Sequence, residues 1–408
     1  MTNSSTEKRA VLILAGAQAL FQTASVLVMT LSGLVGLQMA TVKSLATLPI
    51  AMMMAAAATM MIPASMLMQR YGRKSGFMLG TLFGCLAGLS ATYAIWTGSF
   101  WLFVIANMFM GFYQGFAQYY RFAAADVASE EFKSRAISWV IAGGIVAAVA
   151  APNIATATQH LGSLPFIASY LALFIVSLIA LLLISRLSLP PVIKLANQGV
   201  ARPLLTIMRQ PVFITAMLGS AVGYAVMIMV MTATPLAMQM CGQSVDASAS
   251  VIQWHVLGMF APSFFTGNLI RRFGVLPIMG CGIVVLCIHV AIALSGNTFL
   301  YFLSGLILLG IGWNFLFIGG TTLLTEAYQP SERAKTQAAH DFIVFAVVSL
   351  ASLSAGGLLH LWGWRAVNLT AIPMLALALV FIIGFSLLRK RERKDQYDAT
   401  RLGAVTST

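Results

Sequence analysis

The sequence contains little charge for its length. Only 9% of its 408 residues are Asp, Glu, Lys or Arg, whereas 59% are hydrophobic. A soluble chain of this size needs more charge to cover its surface, so lipid is expected to be its outer solvent. The hydrophobic runs are about 20 residues long rather than alternating segments of about 10, which favours membrane-spanning helices over a barrel.

Other features are scarce or missing as well. The four cysteines do not form a disulfide framework, because three of them fall inside hydrophobic runs. No phosphate loop, nucleophile triad or nucleotide fingerprint occurs, so we expect neither an enzyme nor a bound cofactor. The acids near the membrane region lie close to helix ends, which argues against a proton relay through a central carboxylate. These acids are Asp126, Glu130, Glu131, Glu326, Glu332 and Asp341.

The hydrophobic runs predict about twelve transmembrane helices with both termini in the cytoplasm of a bacterial cell. With that orientation in the inner membrane, only Lys43 and Arg365 among the 24 Lys and Arg lie outside. The net charge of +13 is therefore assigned to orientation and to contact with membrane lipid headgroups. No nucleic-acid partner is expected.

Two segments of the chain repeat each other. Ser65 to Gly72 and Gly267 to Gly274 both read small-x-Leu-x-x-Arg-aromatic-Gly, 202 residues apart (267 − 65). The longer, basic stretch 188–211 lies between them. We therefore predict an all-α membrane protein with pseudo-repeated six-helix halves, 1–187 and 212–408, a basic cytoplasmic tail, and a cytoplasmic linker at 188–211. A substrate path is expected between the halves.

The first repeat carries a family resemblance. Ser65 to Lys74 resembles the Gly-x-x-x-Asp-Arg-x-Gly-Arg-Lys signature of the major facilitator superfamily, with Gln69 at the acid position. The resemblance covers nearly the whole chain and implies alternating access. It makes residues after the second and eighth helices candidates for a cytoplasmic gate: Gln69, Arg70, Gly72, Arg73, Arg271, Arg272 and Gly274. Asn107 replaces an arginine that the family often carries, which disfavours drug/proton antiport.

Sulfur and imidazole side chains occupy the predicted seventh and eighth helices. Met227 and Met231 are four residues apart, as are His255 and Met259, so each pair shares a helix face. If the outer turn lies at about residue 243, Met231 and His255 are equally deep in the membrane. Neutral thioether and imidazole ligands favour copper, although methionine is also common packing in membrane helices.

The same two motifs resemble the signature of the CcoA-like copper importers, a branch of the superfamily that also contains riboflavin importers. The resemblance implies copper uptake for cytochrome oxidase assembly, with the copper ion as substrate and a cytoplasmic copper chaperone or other copper-handling protein as partner. Met238, Met240 and Cys241, at the outer end of the seventh helix, are candidates for a copper relay. Copper import is the leading prediction.

Two other functions stay open. An importer of riboflavin or another aromatic metabolite is favoured by five aromatic residues of the fourth helix that could stack a planar ring. They are Phe112, Tyr113, Phe116, Tyr119 and Tyr120. A drug exporter is the third hypothesis. Arg121 is expected to snorkel or to pair with an acid such as Glu326. Candidates for lining the path are Arg121, Tyr119, Tyr120 and Asn314.

Overall fold

The computed structural model describes residues 4–189 and 202–405, and its regular secondary structure is helical. The first half contains α1 (Ser4–Met39), α2 (Leu48–Tyr71), α3 (Arg73–Thr97), α4 (Phe100–Ala117), α5 (Tyr120–Val127), α6 (Glu130–Thr158) and α7 (Ile167–Ser185). The second half contains α8 (Leu204–Met208), α9 (Pro211–Met240), α10 (Val245–Phe260), α11 (Ser263–Phe273), α12 (Val275–Ser295), α13 (Phe299–Leu324), α14 (Arg333–Leu369) and α15 (Ala371–Val405). Of the predicted linker 188–211, residues 190–201 lie outside the described part.

The predicted spans correspond to these helices. Twelve spans are matched when α4 is joined to α5 and α10 to α11, and α8 is counted as a short connection. Within the described ranges, nine stretches are long and apolar enough to cross a membrane. The counts differ for two reasons. Helices α14 and α15 are counted as one stretch, Lys335–Glu392. The apolar part of α6, Ala142–Thr158, and α10 are each shorter than the 18 residues required of a spanning stretch.

Both copies of the repeated sequence end a helix in the same way. Gly72, between α2 and α3, has φ +86° and ψ 153°, and Gly274, between α11 and α12, has φ +90° and ψ 159°. Such a backbone conformation is open to glycine at little cost and strained for other residues. The sequence repeat therefore encodes a repeated turn.

The two halves meet at the end of the molecule that carries the α1–α2 and α9–α10 connections. Gln159 Nε2 donates a hydrogen bond of 2.8 Å to Asp246 Oδ1. The backbone N–H of Gly356 donates to Thr47 Oγ1 at 3.2 Å. These bonds join α6 to α10 and α14 to the segment before α2, so they hold the two halves together at this end.

A buried carboxylate fastens the beginning of each half to the loop before its fifth span. In the first half, Glu7 Oε1 accepts from Ser129 N at 2.7 Å and from Ser129 Oγ at 3.0 Å. In the second half, Glu332 accepts from Arg202 Nε at 2.8 Å and from Arg202 Nη2 at 2.7 Å. The Arg202 hydrogen bonds, followed by that of the Gln329 N–H, lower the pKa of Glu332 to about 2.

Candidate functional site

A central cavity of about 1310 Å³, including the open space at its mouth, lies between the halves. Helices α1, α2, α4, α5 and α6 form one side, and α9, α10, α11, α13 and α14 form the other. Residues of both halves line it, so a ligand bound there would contact both halves.

Aromatic side chains cover the second-half side of the cavity. The indole of Trp313 and the ring of Phe317 are four residues apart on α13 and lie parallel, with centroids 5.0 Å apart and an angle of 11°. Tyr224 of α9 meets both edge-on, at 5.6 and 5.5 Å. Phe345 and Phe260 complete this group, which we call the aromatic wall. It presents a broad apolar surface to a planar ligand.

Glutamine side chains cover the first-half side. Gln18 and Gln22 lie one turn apart on α1, and Gln114 and Gln118 lie one turn apart at the end of α4. We call these four residues the amide wall. Gln114 is 4% exposed, and its Oε1 accepts no hydrogen bond from any described residue. The amide wall therefore offers both donors and acceptors to a ligand.

Two charged side chains of opposite sign also line the cavity. Arg121 lies on α5, with its guanidinium 4.9 Å from the ring centroid of Phe122. Asp341 lies on α14, and its Oδ1 is 2.9 Å from Nδ1 of the buried His340. Asp341, one of the acids that the sequence places near helix ends, is eight residues inside α14 and lines the cavity. Arg121 does not pair with Glu326, which pairs with Arg389 instead.

Three of the four predicted copper ligands line the cavity. They are Met227, Met231 and Met259, and His255 is not among the lining residues. His255 is fully buried, and its Nδ1 lies 2.8 Å from the carbonyl oxygen of Leu306 on α13. A Cβ at Gly310 would lie 2.5 Å from the His255 carbonyl oxygen, so the missing side chain lets α10 approach α13 closely. The imidazole is thus bonded to α13 through Nδ1, while its Nε2 is buried and has no hydrogen-bond partner among the described residues.

Two of the four predicted path-lining residues reach the cavity. Arg121 and Asn314 line it, and the Asn314 amide also bonds to the Met259 carbonyl, Ser263 and Thr266 at 2.7 Å each. Tyr119 donates to the Met61 carbonyl at 3.0 Å instead. Tyr120 is fully buried and packs against another aromatic ring.

The stacking surface predicted on the fourth helix is not in the cavity. Tyr113, Phe116 and Tyr120 are completely buried among neighbouring helices, where Tyr113 meets Phe21 and Tyr120 meets Phe77 edge-on. The aromatic wall takes its place. The one part of the aromatic wall that the sequence could indicate is the spacing of four residues between Trp313 and Phe317, which places both rings on one helix face. Its remaining members come from three other helices.

The other candidate residues occupy the two ends of the bundle. Met238 is buried, whereas Met240 and Cys241 are exposed at the end of α9, so these three do not form one surface. Arg73 pairs with Asp126. The remaining gate side chains, those of Gln69, Arg70, Arg271 and Arg272, are exposed. The assignment of a gate stays a prediction.

Two six-helix halves around a central cavity define a multi-pass membrane transporter. The chain belongs to the Major Facilitator Superfamily, whose sequence profile matches residues 11–252 and 220–407. It is 43% identical over 386 residues to the riboflavin transporter RfnT of Brucella anthropi, which covers 94% of this chain and 97% of the relative. It is 26% identical to the MFS-type transporter YdeG of Bacillus subtilis over 77% of each chain.

A solved structure shares this fold. The bacterial homolog of the human lysosomal transporter Spinster, in an inward-facing and occupied conformation, superimposes with a TM-score of 0.69. The match covers 93% of this chain and 96% of the other at 14% identity. The superfamily resemblance and the all-helical fold predicted from the sequence are therefore confirmed.

The prediction of copper import is wrong. A relative with 43% identity across nearly the whole chain is a riboflavin transporter, which favours the second hypothesis drawn from the sequence. The copper relay and the copper-handling partner lose their basis with it. Met227, Met231 and Met259 are lining residues of a cavity whose other surfaces are aromatic and amide.

Proposed function

We propose that this protein imports riboflavin across the bacterial inner membrane by alternating access. The observation that carries the proposal is the similarity to RfnT at 43% identity over 94% of the chain. The central cavity supports it. Riboflavin combines a flat tricyclic ring with a polyhydroxylated side chain, and the cavity combines an aromatic wall with an amide wall.

The flat ring is assigned to the aromatic wall. Stacking of a heterocyclic ring on an aromatic side chain contributes roughly 1–3 kcal/mol. The parallel pair Trp313 and Phe317 offers the largest flat surface of this wall. The sugar-alcohol chain is assigned to the amide wall, because each buried hydroxyl needs a hydrogen-bond partner. The free Oε1 of Gln114 is one such partner.

Growth and uptake test the proposal together. We expect the gene to rescue a riboflavin auxotroph at low external vitamin, and we expect cells that express it to accumulate radiolabelled riboflavin. An exporter would worsen growth under the same conditions. Absence of both rescue and uptake, with the protein present in the membrane, would show that riboflavin is not the substrate.

The proposal includes an orientation with both termini in the cytoplasm. It is supported by the basic residues of the loops and the tail, which would then lie inside. Cys241 is exposed at the end of α9 that would face outward. A variant that retains Cys241 alone is expected to react with a membrane-impermeant maleimide in spheroplasts. Labelling only after lysis would reverse the orientation.

A further inference from the structure

Two arginine side chains from opposite halves meet at one aromatic ring, at the end of the molecule opposite the α1–α2 connection. The guanidinium carbon of Arg121, on α5, lies 4.9 Å from the ring centroid of Phe122. That of Arg333, the first residue of α14, lies 5.9 Å from the same centroid. We call Arg121 and Arg333 the arginine pair. Its two positive charges repel each other across the boundary between the halves, and an anion between them would remove this repulsion.

No described acid neutralises the arginine pair. The Nε of Arg121 is buried and donates no hydrogen bond, and a buried donor without an acceptor is uncommon in a folded protein. The ring of Phe122 attracts both cations but does not cancel their charge. The acids at this end of the molecule have other partners: Asp126 pairs with Arg73, Glu326 with Arg389 and Glu332 with Arg202. The arginine pair therefore offers unused donors to an anion.

The amide wall leads to Arg121 along one side of the cavity. Gln114, Gln118 and Arg121 all line the cavity, at spacings of four and three residues. Gln118 and Tyr119, which connect α4 to α5, keep helical backbone angles, so the three side chains follow one another along one face. The proposed function lays the sugar-alcohol chain of riboflavin along these amides. A group at the far end of that chain would reach Arg121 while the ring stays on the aromatic wall.

We propose that the arginine pair binds the phosphate group of a phosphate ester of the transported alcohol, and that this ester inhibits transport from the cytoplasmic side. The inference rests on the proposed function and deepens it: for riboflavin the ligand is riboflavin 5′-phosphate, the product of phosphoryl transfer to the terminal hydroxyl. Such a phosphate carries about −1.5 to −2 charges at pH 7 and accepts charge-assisted hydrogen bonds from guanidinium groups. Because Arg121 lines the cavity, the phosphate enters with the flavin and not as a lipid headgroup.

The bound ester would hold the two halves in one conformation. One phosphate that bonds to both Arg121 and Arg333 joins the halves at the end opposite the bond between Gln159 and Asp246. Transport of the ester would bring its charge past Asp341, which lies eight residues further into α14 and also lines the cavity. Repulsion from this carboxylate and the cost of enclosing a phosphate away from water both oppose that step. The ester is therefore an inhibitor and not a substrate.

The test compares the two sides of the membrane. Right-side-out membrane vesicles are loaded with riboflavin 5′-phosphate, and the initial rate of entry of labelled riboflavin is measured. We expect the internal ester to slow entry and the same ester outside to have little effect, because the arginine pair lies at the cytoplasmic end in the proposed orientation. In Arg333→Gln, the internal concentration that halves the rate should rise about tenfold or more, since charge-assisted hydrogen bonds are lost.

Two controls accompany this variant. Arg333 is exposed and is not among the cavity-lining residues, so Arg333→Gln should take up riboflavin at the wild-type rate when no ester is present. Arg186→Gln, at an exposed arginine after α7 and outside the cavity, should match the wild type both with and without the ester. Binding of the ester to the purified protein, followed by flavin fluorescence, is a second readout that does not require transport. Arg121→Gln and Arg333→Gln should each weaken it.

The outcomes separate this inference from the proposed function. If wild-type vesicles take up riboflavin but the internal ester does not slow entry, or inorganic phosphate slows it at the same concentration, the assigned ligand is wrong although riboflavin transport stands. Equal inhibition and equal ester affinity in Arg333→Gln and the wild type would remove the arginine pair from the site. If the wild type takes up no riboflavin, the proposed function fails first.

Discussion

The two halves share one fold but give the cavity two different walls. The first half contributes glutamines from α1 and α4, and the second half contributes rings from α9, α10, α13 and α14. At the 202-residue offset of the repeat, Gln22 corresponds to Tyr224, so equivalent positions carry an amide in one half and a phenol in the other. A repeated scaffold can therefore recognise a ligand with two unlike parts.

A second pair of positions shows how packing changes the role of one residue type. At the 200-residue offset that separates Asp126 from Glu326, Gln114 corresponds to Asn314. Both line the cavity, but the Asn314 amide is occupied by Met259, Ser263 and Thr266. The Gln114 oxygen is buried and accepts no hydrogen bond from a described residue. Asn314 therefore fastens α13 to α10 and α11, whereas the Gln114 oxygen makes no such bond.

The largest expected effect comes from the aromatic wall. Trp313→Ala removes the central ring, and we expect KM for riboflavin uptake to rise about 5- to 150-fold, in line with the roughly 1–3 kcal/mol of one stacking contact. Trp313→Phe should recover most of the loss. Trp101→Ala, at a Trp that is 64% exposed and outside the cavity, is the control. Equal KM values for both alanine variants would refute the stacking role.

A smaller effect is expected on the amide wall. Gln114→Leu keeps a similar size and removes one hydrogen-bonding group, which contributes about 1 kcal/mol and corresponds to a roughly fivefold weaker interaction. The loss should affect riboflavin and spare lumichrome, a ring-only competitor without the sugar-alcohol chain. Trp313→Ala should weaken both ligands. If Gln114→Leu weakens the binding of both ligands equally, the amide wall does not bind the sugar-alcohol chain of riboflavin.

The hydrogen bonds of the two buried carboxylates, Glu7 and Glu332, are expected to differ in strength and in pH dependence. Glu332 pairs with the Arg202 guanidinium, whereas Glu7 accepts from Ser129 among the residues that the structure describes. Glu332→Gln should therefore lower the thermal stability of the purified protein more than Glu7→Gln. The pKa of Glu332 is lowered from an ordinary 4.5 to about 2. Its stabilisation is therefore complete above about pH 4.5 and is lost as the pH falls toward 2.

Thermal unfolding in detergent at pH 7 and at pH 3 tests whether the stabilisation by Glu332 falls on acidification. The difference in Tm between the wild type and Glu332→Gln should be largest at pH 7 and should narrow at pH 3, because the carboxyl of the unfolded chain, with its ordinary pKa of 4.5, is protonated at pH 3 and so favours unfolding of the wild type. A difference that grows on acidification would contradict the assigned ion pair.

The smallest effect is expected from the methionines between the two walls. Met231→Leu conserves volume and polarity, so KM for riboflavin should stay within about threefold of the wild type. Cellular copper should not change between cells with and without the variant. Uptake abolished by this substitution would show that sulfur has a role that packing does not explain.

Much of the architecture could be predicted from local patterns. Hydrophobic runs define the spans because the membrane core has a set thickness and the backbone must bond internally. The repeat after α2 and α11 revealed the two halves through two glycines. Arg121 and Asn314, two of the four candidates for lining the path, do line the cavity, as expected for polar side chains in a span, which rarely face lipid.

The direction in which a side chain points could not be predicted, because depth in the membrane does not define rotation about the helix axis. Met231 lines the cavity, whereas His255 does not. At the close approach of α10 to α13, His255 Nδ1 lies 2.8 Å from the Leu306 carbonyl oxygen. Asp341 was overlooked because its distance from a helix end does not indicate whether it faces the cavity or the outside.

The sequence by itself determined the helices, their number and the division into halves, because these follow from the composition of contiguous segments. Only the tertiary structure decided which faces form the cavity. The aromatic wall draws residues from α9, α10, α13 and α14, which are as much as 121 positions apart (345 − 224). No local period relates them, and their convergence depends on how closely each helix pair packs.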